Sequence, residues 1–237
     1  MEILIGCDPE VFIKDRKTKK FVSAHDLIPG TKDEPFLVKA GALQVDGVAA
    51  EFNINPATDS SSFLQNIGNV VESMSLILKN QNPDLELVVT PTATFDREYF
   101  DSLPDITKEL GCSPDYNAWT GRINERPKTT EPFRTGAGHI HIGWAENEDI
   151  TDKEHIDLCR NLVKTLDASL FIMSHSWDDD RSRRTLYGAK GAFRPKFYGM
   201  EYRVLSNRFL NNIGIIEWIY NAAFHSAELI LKENKWI

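Results

Sequence analysis

Four strand-like segments of this sequence share one pattern, in which polar side chains recur at every second position. In an extended chain, residues two apart point to the same face of a sheet, so each segment has a polar face and an apolar face. The polar residues concerned are Asp8 and Glu10, Glu51 with Asn53 and Asn55, His139 and His141, and Glu201 and Arg203. We therefore expect a sheet that offers ionisable groups on one face.

Apolar residues spaced three and four apart predict three helices. The first begins after Asp59, the second at the capping-box pattern Thr151–Glu154, and the third at Ile213. Because the order is strands, helix, strands, helix, strand and helix with hairpin-like joins, we expect an α+β fold with helices packed on a mostly antiparallel sheet. No linker divides the sequence, so residues 1–237 are predicted to form a single domain.

Several segments between these patterns are predicted as turns or loops. Residues 6–9 are predicted as a turn between two short strands, whereas residues 45–55 are predicted as one strand. Residues 111–135 and 176–198 are predicted as long irregular loops, which are often functional. His155, in the first turns of the second helix, is expected to face solvent.

The composition argues against some classes of protein. The chain has 27 basic and 35 acidic residues, a net charge of −8, whereas general nucleic-acid binding needs an excess of Lys and Arg. No apolar run approaches the roughly 18 residues of a membrane span, and the first residues do not resemble a signal peptide. Cys7, Cys112 and Cys159 form no CxxC pair, so a reducing cytoplasmic location is predicted.

The pair His139 and His141 is the most specific local feature, since glycines at 136, 138 and 143 flank it and allow close approach of backbone or ligand. Such a pair is suited to holding a metal, orienting a phosphate or transferring a proton. The polar face around Glu51 offers one carboxylate and two amides, which suits a hard cation. Asp8 and Glu10 alone are a weak signal, because a turn followed by a surface strand explains the pair as well as a functional site does.

A cationic stretch follows in the C-terminal third of the sequence. Arginine suits bidentate phosphate contacts, so the stretch favours a polyphosphate ligand; a solvated charged loop is the alternative. Together with the acids and histidines, it indicates a divalent-metal and phosphate site, although no P-loop, GxGxxG or HExxH motif is present. The cations are Arg181, Arg183, Arg184, Lys190, Arg194 and Lys196.

Four blocks of sequence, in this order, resemble the phage-encoded carboxylate–amine ligases. These are amidoligases related to glutamine synthetase and glutamate–cysteine ligase. The blocks are residues 6–12, 46–53, 136–143 and 187–203. The resemblance implies a glutamine synthetase catalytic-domain-like fold, in which a curved antiparallel sheet binds ATP and two or three Mg²⁺ or Mn²⁺ ions on its concave face. It also implies an ATP-dependent ligase that forms an amide through an acyl phosphate.

The resemblance also implies roles for single residues. Arg194 and Arg203 would bind the transferred phosphoryl group with Lys190, and a carboxylate or a water near Glu51 would accept the proton of the amine. His141 would lie near the nucleotide. The implied metal ligands are Asp8, Glu10, Glu51, His139 and Glu201.

The sequence departs from glutamine synthetase in ways that bear on the site. Asp8 stands where that enzyme usually has Glu, and Glu51 is followed by Asn53 rather than by a second acid. No counterpart of its N-terminal domain is recognised, so loop 111–135 with Arg122, Arg126 and Arg134 is expected to complete the site.

Two other functions remain open at this point: a metal-dependent phosphodiesterase or nuclease using the same residues, and a non-catalytic binding protein that retains the fold. For the ligase, the expected partners are a small-molecule or peptide carboxylate and an amine, without membrane or nucleic acid. Whether the protein forms a homo-oligomer is left open.

Overall fold

The structure is a computed structural model that describes residues 2–108, 115–125 and 131–234. Cys112 and Arg126 lie outside the described residues. The strands are β1 (Leu4–Asp15), β2 (Phe21–Val22), β3 (Phe36–Val38), β4 (Gly41–Asp46), β5 (Ala49–Ile54), β6 (Leu85–Val88), β7 (Thr92–Thr94), β8 (Tyr116–Asn117), β9 (Phe133–Thr135), β10 (Gly138–Gly143), β11 (Ala192–Lys196) and β12 (Gly199–Tyr202).

Helices alternate with groups of strands along the chain. A π-helical turn (Asp167–Phe171) extends the fourth helix, and a 3₁₀ turn (Asn207–Asn211) precedes the last. The α-helices are α1 (Ser60–Gln81), α2 (Arg97–Ser102), α3 (Asp105–Lys108), α4 (Lys153–Leu166), α5 (Ile172–Ser174), α6 (Arg181–Leu186) and α7 (Ile213–Glu233). None of the helices in the described ranges has both the length and the apolar character that a membrane crossing requires.

The main sheet has the strand order β3-β4-β5-β1-β10-β12-β11-β8, with β2 and β6 also paired to β1. Neighbouring strands run antiparallel, and the sheet is open. Strands β7 and β9 form a separate antiparallel ribbon. Helices α1, α4 and α7 pack on one side of the sheet, with α7 in contact with both α1 and α4. The predicted α+β architecture is confirmed.

The apolar core lies between the sheet and these helices. Ile5 of β1, Phe52 of β5 and Ile140 of β10 are fully buried or nearly so, as are Met74 of α1 and Ile219 of α7. Burial of one large apolar side chain stabilises the folded state by about 1.5–3 kcal/mol, so this layer holds the sheet to the helices. The opposite face of the sheet is left to the polar members of each strand.

A second, smaller apolar cluster lies on the polar side of β1. Phe12 packs edge-on against Phe95 at a centroid distance of 6.3 Å, and Phe95 packs against Phe100 at 6.0 Å. Val48 and Ala49 from the β4–β5 hairpin join this cluster. The cluster ties the β7–β9 ribbon and α2 to one end of the polar face.

The structure corrects several local predictions. Residues 6–9 do not form a turn, because β1 runs unbroken through them and pairs with β10 as far as Pro9. Pro9 has no N–H, and from Glu10 onward β1 pairs with β5 and β6 instead. Residues 45–55 span two strands joined at Gly47, whose φ of 58° is a conformation that glycine adopts readily.

The predicted loop over residues 176–198 contains the helix α6 and the strand β11. The N-cap of α4 is Asp152, whose side chain accepts a hydrogen bond from the His155 N–H, rather than Thr151. His155 is fully buried, with its ring tilted against that of Trp144 at a centroid distance of 5.8 Å, so the expectation that it faces solvent is wrong. By contrast, α1 begins after its N-cap Asp59 as predicted.

Candidate active site

The sheet register places the polar residues of neighbouring strands opposite one another. Each pair lies on the face away from α1, α4 and α7, so the i and i+2 pattern of the separate strands becomes one continuous row. The opposed pairs are Gln44 with Glu51, Glu51 with Glu10, Asp8 with His139, His141 with Glu201, and Glu201 with Arg194.

One end of this row forms a first metal-binding candidate, the Asp8 cluster (Asp8, His139 and Glu201). His139 Nδ1 lies 3.2 Å from Asp8 Oδ1 and 3.3 Å from Glu201 Oε1. His139 is 5% exposed and Glu201 1% exposed. Two carboxylates and one imidazole nitrogen therefore face one small volume.

A second candidate is the Glu10 cluster (Glu10, Asp46 and Glu51), whose carboxylate oxygens lie within 4.8 Å of one another. Glu10 accepts a hydrogen bond from the Ala137 N–H at 2.9 Å, and Gln44 donates to Glu51 at 2.7 Å. The sequence analysis did not assign Asp46 to the site. The dipeptide Asp46-Gly47 is a hairpin-turn signal that would have divided residues 45–55 and brought Asp46 beside Glu51.

The pKa values of the acids reflect this crowding. Burial, and then the charge of Asp46, raises the pKa of Glu10 to about 7. Burial and the charge of Asp8 raise the pKa of Glu51 well above its usual range. Burial also disfavours the charged form of Asp8, but the nearby His141 and His139 outweigh it and hold the pKa of Asp8 well below its usual range.

Three cations converge on Glu201. Lys196 Nζ lies 2.9 Å and Arg194 Nη1 3.4 Å from Glu201 Oε2, and Arg203 donates to Glu201 Oε1. Burial opposes the charge of Glu201, yet the nearby Arg203 lowers the pKa of this carboxyl to about 2. Arg203 also lies 3.5 Å from Asp115 Oδ2. The carboxylate is thus ionised, with cations on one side and His139 on the other.

Both histidines of the predicted pair have tyrosine partners. His139 Nε2 lies 3.2 Å from the Tyr187 hydroxyl, which also accepts a hydrogen bond from Arg203. His141 Nδ1 contacts the Tyr198 hydroxyl, and its Nε2 lies 3.0 Å from Asp8 Oδ2. Burial lowers the pKa of His139, whereas Asp8 outweighs burial at His141 and raises the pKa of that residue. The two tyrosines were not identified as site residues from sequence.

Two cavities adjoin the row of acids. The smaller, of about 270 Å³, is lined by both clusters, by Arg194, Lys196 and Arg203, and by Arg134 and Tyr187. The larger, of about 910 Å³, is lined by His141, Asn53 and Tyr198 and by apolar groups such as Leu4 and Ile54. Asp8 and Glu51 line both, so the acids stand between the two spaces.

Part of the cationic stretch does not reach these cavities. The Lys190 ammonium lies 4.1 Å from the centroid of the Trp119 ring, and Lys190 lines neither cavity. Arg183 is fully buried and donates to the carbonyl oxygens of Gly136, Val204 and Leu205. Of the six cations of this stretch, the structure brings Arg194 and Lys196 to the site.

The arginines expected to complete the site from loop 111–135 also differ in their positions. Arg122 is exposed and lines neither cavity, whereas Arg134 is buried and lines the smaller one. Two of the glycines that flank the histidine pair, Gly136 and Gly138, have no room for a side chain: a Cβ on Gly138 would lie 2.6 Å from the Phe209 ring and from the Ser206 carbonyl oxygen. Close packing of β10 against the 3₁₀ turn therefore accounts for this glycine without a ligand.

The donor set of each cluster fits a divalent cation. Carboxylate oxygens, with one imidazole nitrogen in the Asp8 cluster, are the ligands that Mg²⁺ and Mn²⁺ accept. Burial, together with the charges of Asp46 and Asp8, raises the pKa values of Glu10 and Glu51, so a cation placed among these acids would offset their negative charge.

The fold and site together define a class: an α+β protein whose open antiparallel sheet carries two acidic clusters and converging cations on one face. Residues 127–237 match the family model described as phage phiEco32-like COOH.NH2 ligase-type 2. This match covers His139, Arg194 and Glu201 in the C-terminal part of the chain and supports the predicted resemblance to the carboxylate–amine ligases. No curated protein matches the chain.

Proposed function

We propose that this chain is an ATP-dependent ligase that joins a carboxylate to an amine through an acyl phosphate. The observation that carries the proposal is the cavity in which both acidic clusters and the cations around Glu201 meet. A triphosphate needs cations to offset its charge, and a carboxylate must be activated before an amine can displace its oxygen. The family match, which describes a COOH.NH2 ligase, supports the same reaction class.

The proposed metal ligands are Asp8, His139 and Glu201 in one cluster and Glu10, Asp46 and Glu51 in the other. When bound, Mg²⁺ or Mn²⁺ would offset phosphate charge and act as a Lewis acid toward phosphoryl oxygens. Lys32 Nζ lies 2.7 Å from Asp46 Oδ2 and provides positive charge beside the second cluster.

Arg194 and Arg203 are the proposed phosphoryl-binding residues. Both line the smaller cavity and already contact the Glu201 carboxylate, which fixes their guanidinium groups beside the Asp8 cluster. In that position they would stabilise the negative charge that develops on the transferred phosphoryl group. The sequence analysis assigned Lys190 to this group. We propose Lys196 in its place, because the Lys196 ammonium lies 2.9 Å from Glu201.

The larger cavity is the proposed nucleoside site. Its volume of about 910 Å³ and its apolar lining suit a purine and ribose, and His141 stands between it and the Asp8 carboxylate. This arrangement would place the triphosphate across the row of acids, with its terminal phosphate toward Arg203.

Glu51 is the proposed acceptor of the proton that the amine loses. It is 7% exposed, lines both cavities, and has a pKa raised by burial and by its acidic neighbours. This raised pKa belongs to the metal-free cluster and a bound cation would lower it, so the position of Glu51 between the two cavities is what supports this role. Gln44 donates a hydrogen bond to it and holds its orientation.

Thermal unfolding with and without ATP, at fixed Mg²⁺, tests this proposal before the other substrates are known. At about 100 times its dissociation constant, a ligand adds about 2.7 kcal/mol to the folded state and raises the melting temperature by a few degrees. We expect a shift in the wild type that requires both Mg²⁺ and ATP. Glu10→Gln should lose it, because the change removes one carboxylate of the second cluster.

Glu86→Gln is the matched control, since Glu86 lies on β6 and pairs with Arg16 away from both cavities. This variant should keep the full shift. Stabilisation by Mg²⁺ alone, without any effect of millimolar ATP, would favour a phosphodiesterase instead. No response to either ligand in folded protein would favour a binding protein that retains the fold.

A further inference from the structure

Asp115 is a carboxylate beside the proposed phosphoryl-binding residues that the sequence analysis did not identify. Its Oδ2 lies 3.5 Å from Nε of Arg203, and the side chains of Asp115 and Arg203 are 14% and 4% exposed. Opposite charges that are buried to this extent are screened little by salt and water, so each fixes the position of the other. Asp115 is therefore a candidate for holding the Arg203 guanidinium in place.

The sheet register explains how Asp115 reaches this position. Strand β8 pairs with β11 through Tyr116 opposite Phe193. The next pair in this register would be Asp115 with Arg194, and opposed residues of antiparallel strands share a face of the sheet. Arg194 in turn stands opposite Glu201. Asp115 thus extends the row of polar residues to the β8 edge of the sheet.

The backbone that carries Asp115 belongs to a short hairpin, residues 115–124, with fixed contacts at its base and at its tip. At the base, the Asn124 N–H donates to the Asp115 carbonyl oxygen and the Asn124 amide donates to Asp115 Oδ1, both at 2.9 Å. At the tip, the Trp119 indole donates to the buried Asp167 at 2.6 Å. These contacts hold the Asp115 carboxylate at the site.

The other carboxylate beside Arg203 is shared with the first metal-binding candidate. Arg203 donates to Glu201 Oε1, and the same oxygen lies 3.3 Å from His139 Nδ1 in the Asp8 cluster. Arg194 and Lys196 contact the second oxygen of Glu201. A cation bound in the Asp8 cluster would draw on the charge of Oε1 and repel the Arg203 guanidinium. Glu201 alone is therefore a weak anchor for Arg203 once a metal is bound.

We propose that Asp115 is a positioning residue, which holds the Arg203 guanidinium at the transferred phosphoryl group when a cation occupies the Asp8 cluster. This inference rests on the proposed function, because it takes Arg203 to bind that group. Tyr187 also accepts a hydrogen bond from Arg203, but a neutral hydroxyl does not offset the guanidinium charge as a carboxylate does.

Asp115→Asn tests the proposal with little change of shape, because an amide oxygen still accepts the hydrogen bond from Asn124. The measurement is calorimetric binding of ADP and of a non-hydrolysable imido analogue of ATP, at fixed Mg²⁺. With Arg203 out of place, the terminal phosphate loses a charge-assisted contact, so the ratio of analogue to ADP affinity should fall about tenfold. The ADP affinity should stay as in the wild type, whereas a damaged fold would weaken both nucleotides alike.

A second readout follows Arg203 itself, through hydrogen exchange of its Nε–H in ¹⁵N nuclear magnetic resonance spectra. Comparison with Arg203→Lys identifies the signal. Saturating Mg²⁺ should accelerate this exchange at least about tenfold in Asp115→Asn, because the cation competes for Glu201 and no charge at residue 115 holds the guanidinium. In the wild type, Mg²⁺ should leave the exchange rate unchanged.

Asp157→Asn is the matched control. Asp157 pairs with Arg160 at 3.1 Å, and Arg160 donates to the Ala118 carbonyl oxygen of the same hairpin, but neither Asp157 nor Arg160 lines either cavity. This variant should keep the wild-type affinity ratio and exchange rate. Asp115→Glu retains the carboxylate and should restore most of both. Asp115→Ser is the second test variant should Asp115→Asn not fold.

Two results would overturn the inference: an unchanged ratio of the two affinities in Asp115→Asn, or a fall of both affinities by the same factor. Failure of the proposed function looks different. If the wild type binds neither nucleotide, the ATP-dependent ligase is rejected. The exchange of the Arg203 Nε–H with Mg²⁺ alone then still decides whether Asp115 holds this side chain.

Discussion

At the scale of single residues, the site depends on which protonation states the crowded groups adopt. With a cation in the Asp8 cluster, the lone pair of His139 must be on Nδ1, which faces Asp8 and Glu201. The ring proton is then on Nε2, 3.2 Å from the Tyr187 hydroxyl. Tyr187 therefore acts as a positioning residue that selects this tautomer.

Tyr187→Phe tests this role. Loss of the hydroxyl leaves the His139 Nε2–H without its acceptor, so the affinity for Mn²⁺ should fall about tenfold or more while the protein stays folded. Mn²⁺ titration followed by electron paramagnetic resonance measures the affinity, and nitrogen chemical shifts of the imidazole report the tautomer. Tyr220→Phe on α7, far from the acids in the strand row, should leave both unchanged. Equal Mn²⁺ affinity in Tyr187→Phe and wild type would contradict the assignment.

Glu10 gives a pH-dependent prediction for protein freed of metal by a chelator. Its pKa is raised from an ordinary 4.5 to about 7 in the folded state, so the folded protein binds more protons than the unfolded chain between these values. The free energy of unfolding should therefore fall as the pH rises from about 4.5 to 7, by about 2–3 kcal/mol from this group.

Glu10→Gln removes that contribution, so without metal it should be more stable than wild type at pH 8 and differ less at pH 5. Added Mg²⁺ should reverse the order at pH 8, because only the wild type has the complete Glu10 cluster. Chemical denaturation at the two pH values measures the difference. A wild type that is the more stable protein at pH 8 without metal would show that Glu10 is not held in an unfavourable charged state.

At the scale of elements, the antiparallel register is what turns separate sequence patterns into one site. Spacing of two along each strand predicted that Asp8 and Glu10, or His139 and His141, share a face, and the register then sets Asp8 opposite His139. The sequence analysis missed Asp46 because it took the β4–β5 hairpin for one strand. It assigned the phosphoryl-binding role to Lys190 rather than to Lys196, because it did not recognise β11 within the predicted loop.

Helix α6 has a structural role, which its arginine-rich sequence did not indicate. Arg183 donates hydrogen bonds to three backbone carbonyl oxygens, that of Gly136 before β10 and those of Val204 and Leu205 after β12. These segments enter and leave the active face, so the helix fixes the ends of two site strands. The sequence allowed two interpretations of Arg183, as part of a solvated charged loop or as a phosphate ligand. Its complete burial is inconsistent with both.

Arg183→Leu should destabilise the protein by about 3 kcal/mol or more, because it leaves three buried carbonyl groups without donors. Arg181→Gln, at an exposed position of the same helix, should change stability by less than about 0.5 kcal/mol. Urea denaturation of the two variants makes the comparison. Similar midpoints for both would mean that the Arg183 hydrogen bonds contribute little to the folded state.

At the scale of the whole molecule, the sequence predicted the α+β class and the three long helices because their apolar periodicity directly reflects burial. It did not predict that the acids divide into two clusters, since that depends on the hairpin and on the pairing of β1 with β5 and β10 together. The burial of Arg134 was likewise beyond sequence patterns, because it follows from how the β7–β9 ribbon packs against Phe100.

The division of charge between the two cavities is the main consequence of this architecture. In the described part of the chain, the smaller cavity is lined by Lys32, Arg134, Arg194, Lys196 and Arg203, whereas no lysine or arginine lines the larger. The anionic groups of the substrates are therefore expected on the first side and the nucleoside on the second. The acids between them are where a metal-bound triphosphate would lie.

The proposal of two metal sites is tested most directly by counting the Mn²⁺ ions bound at saturating ATP. Electron paramagnetic resonance measures the free Mn²⁺, and the bound ions are obtained by difference. The two clusters predict two ions per chain in the wild type. Asp8→Asn and Asp46→Asn should each lose one, from different clusters, and Glu86→Gln should keep both. A count of zero in folded wild-type protein, or a count that neither aspartate variant changes, would contradict the account.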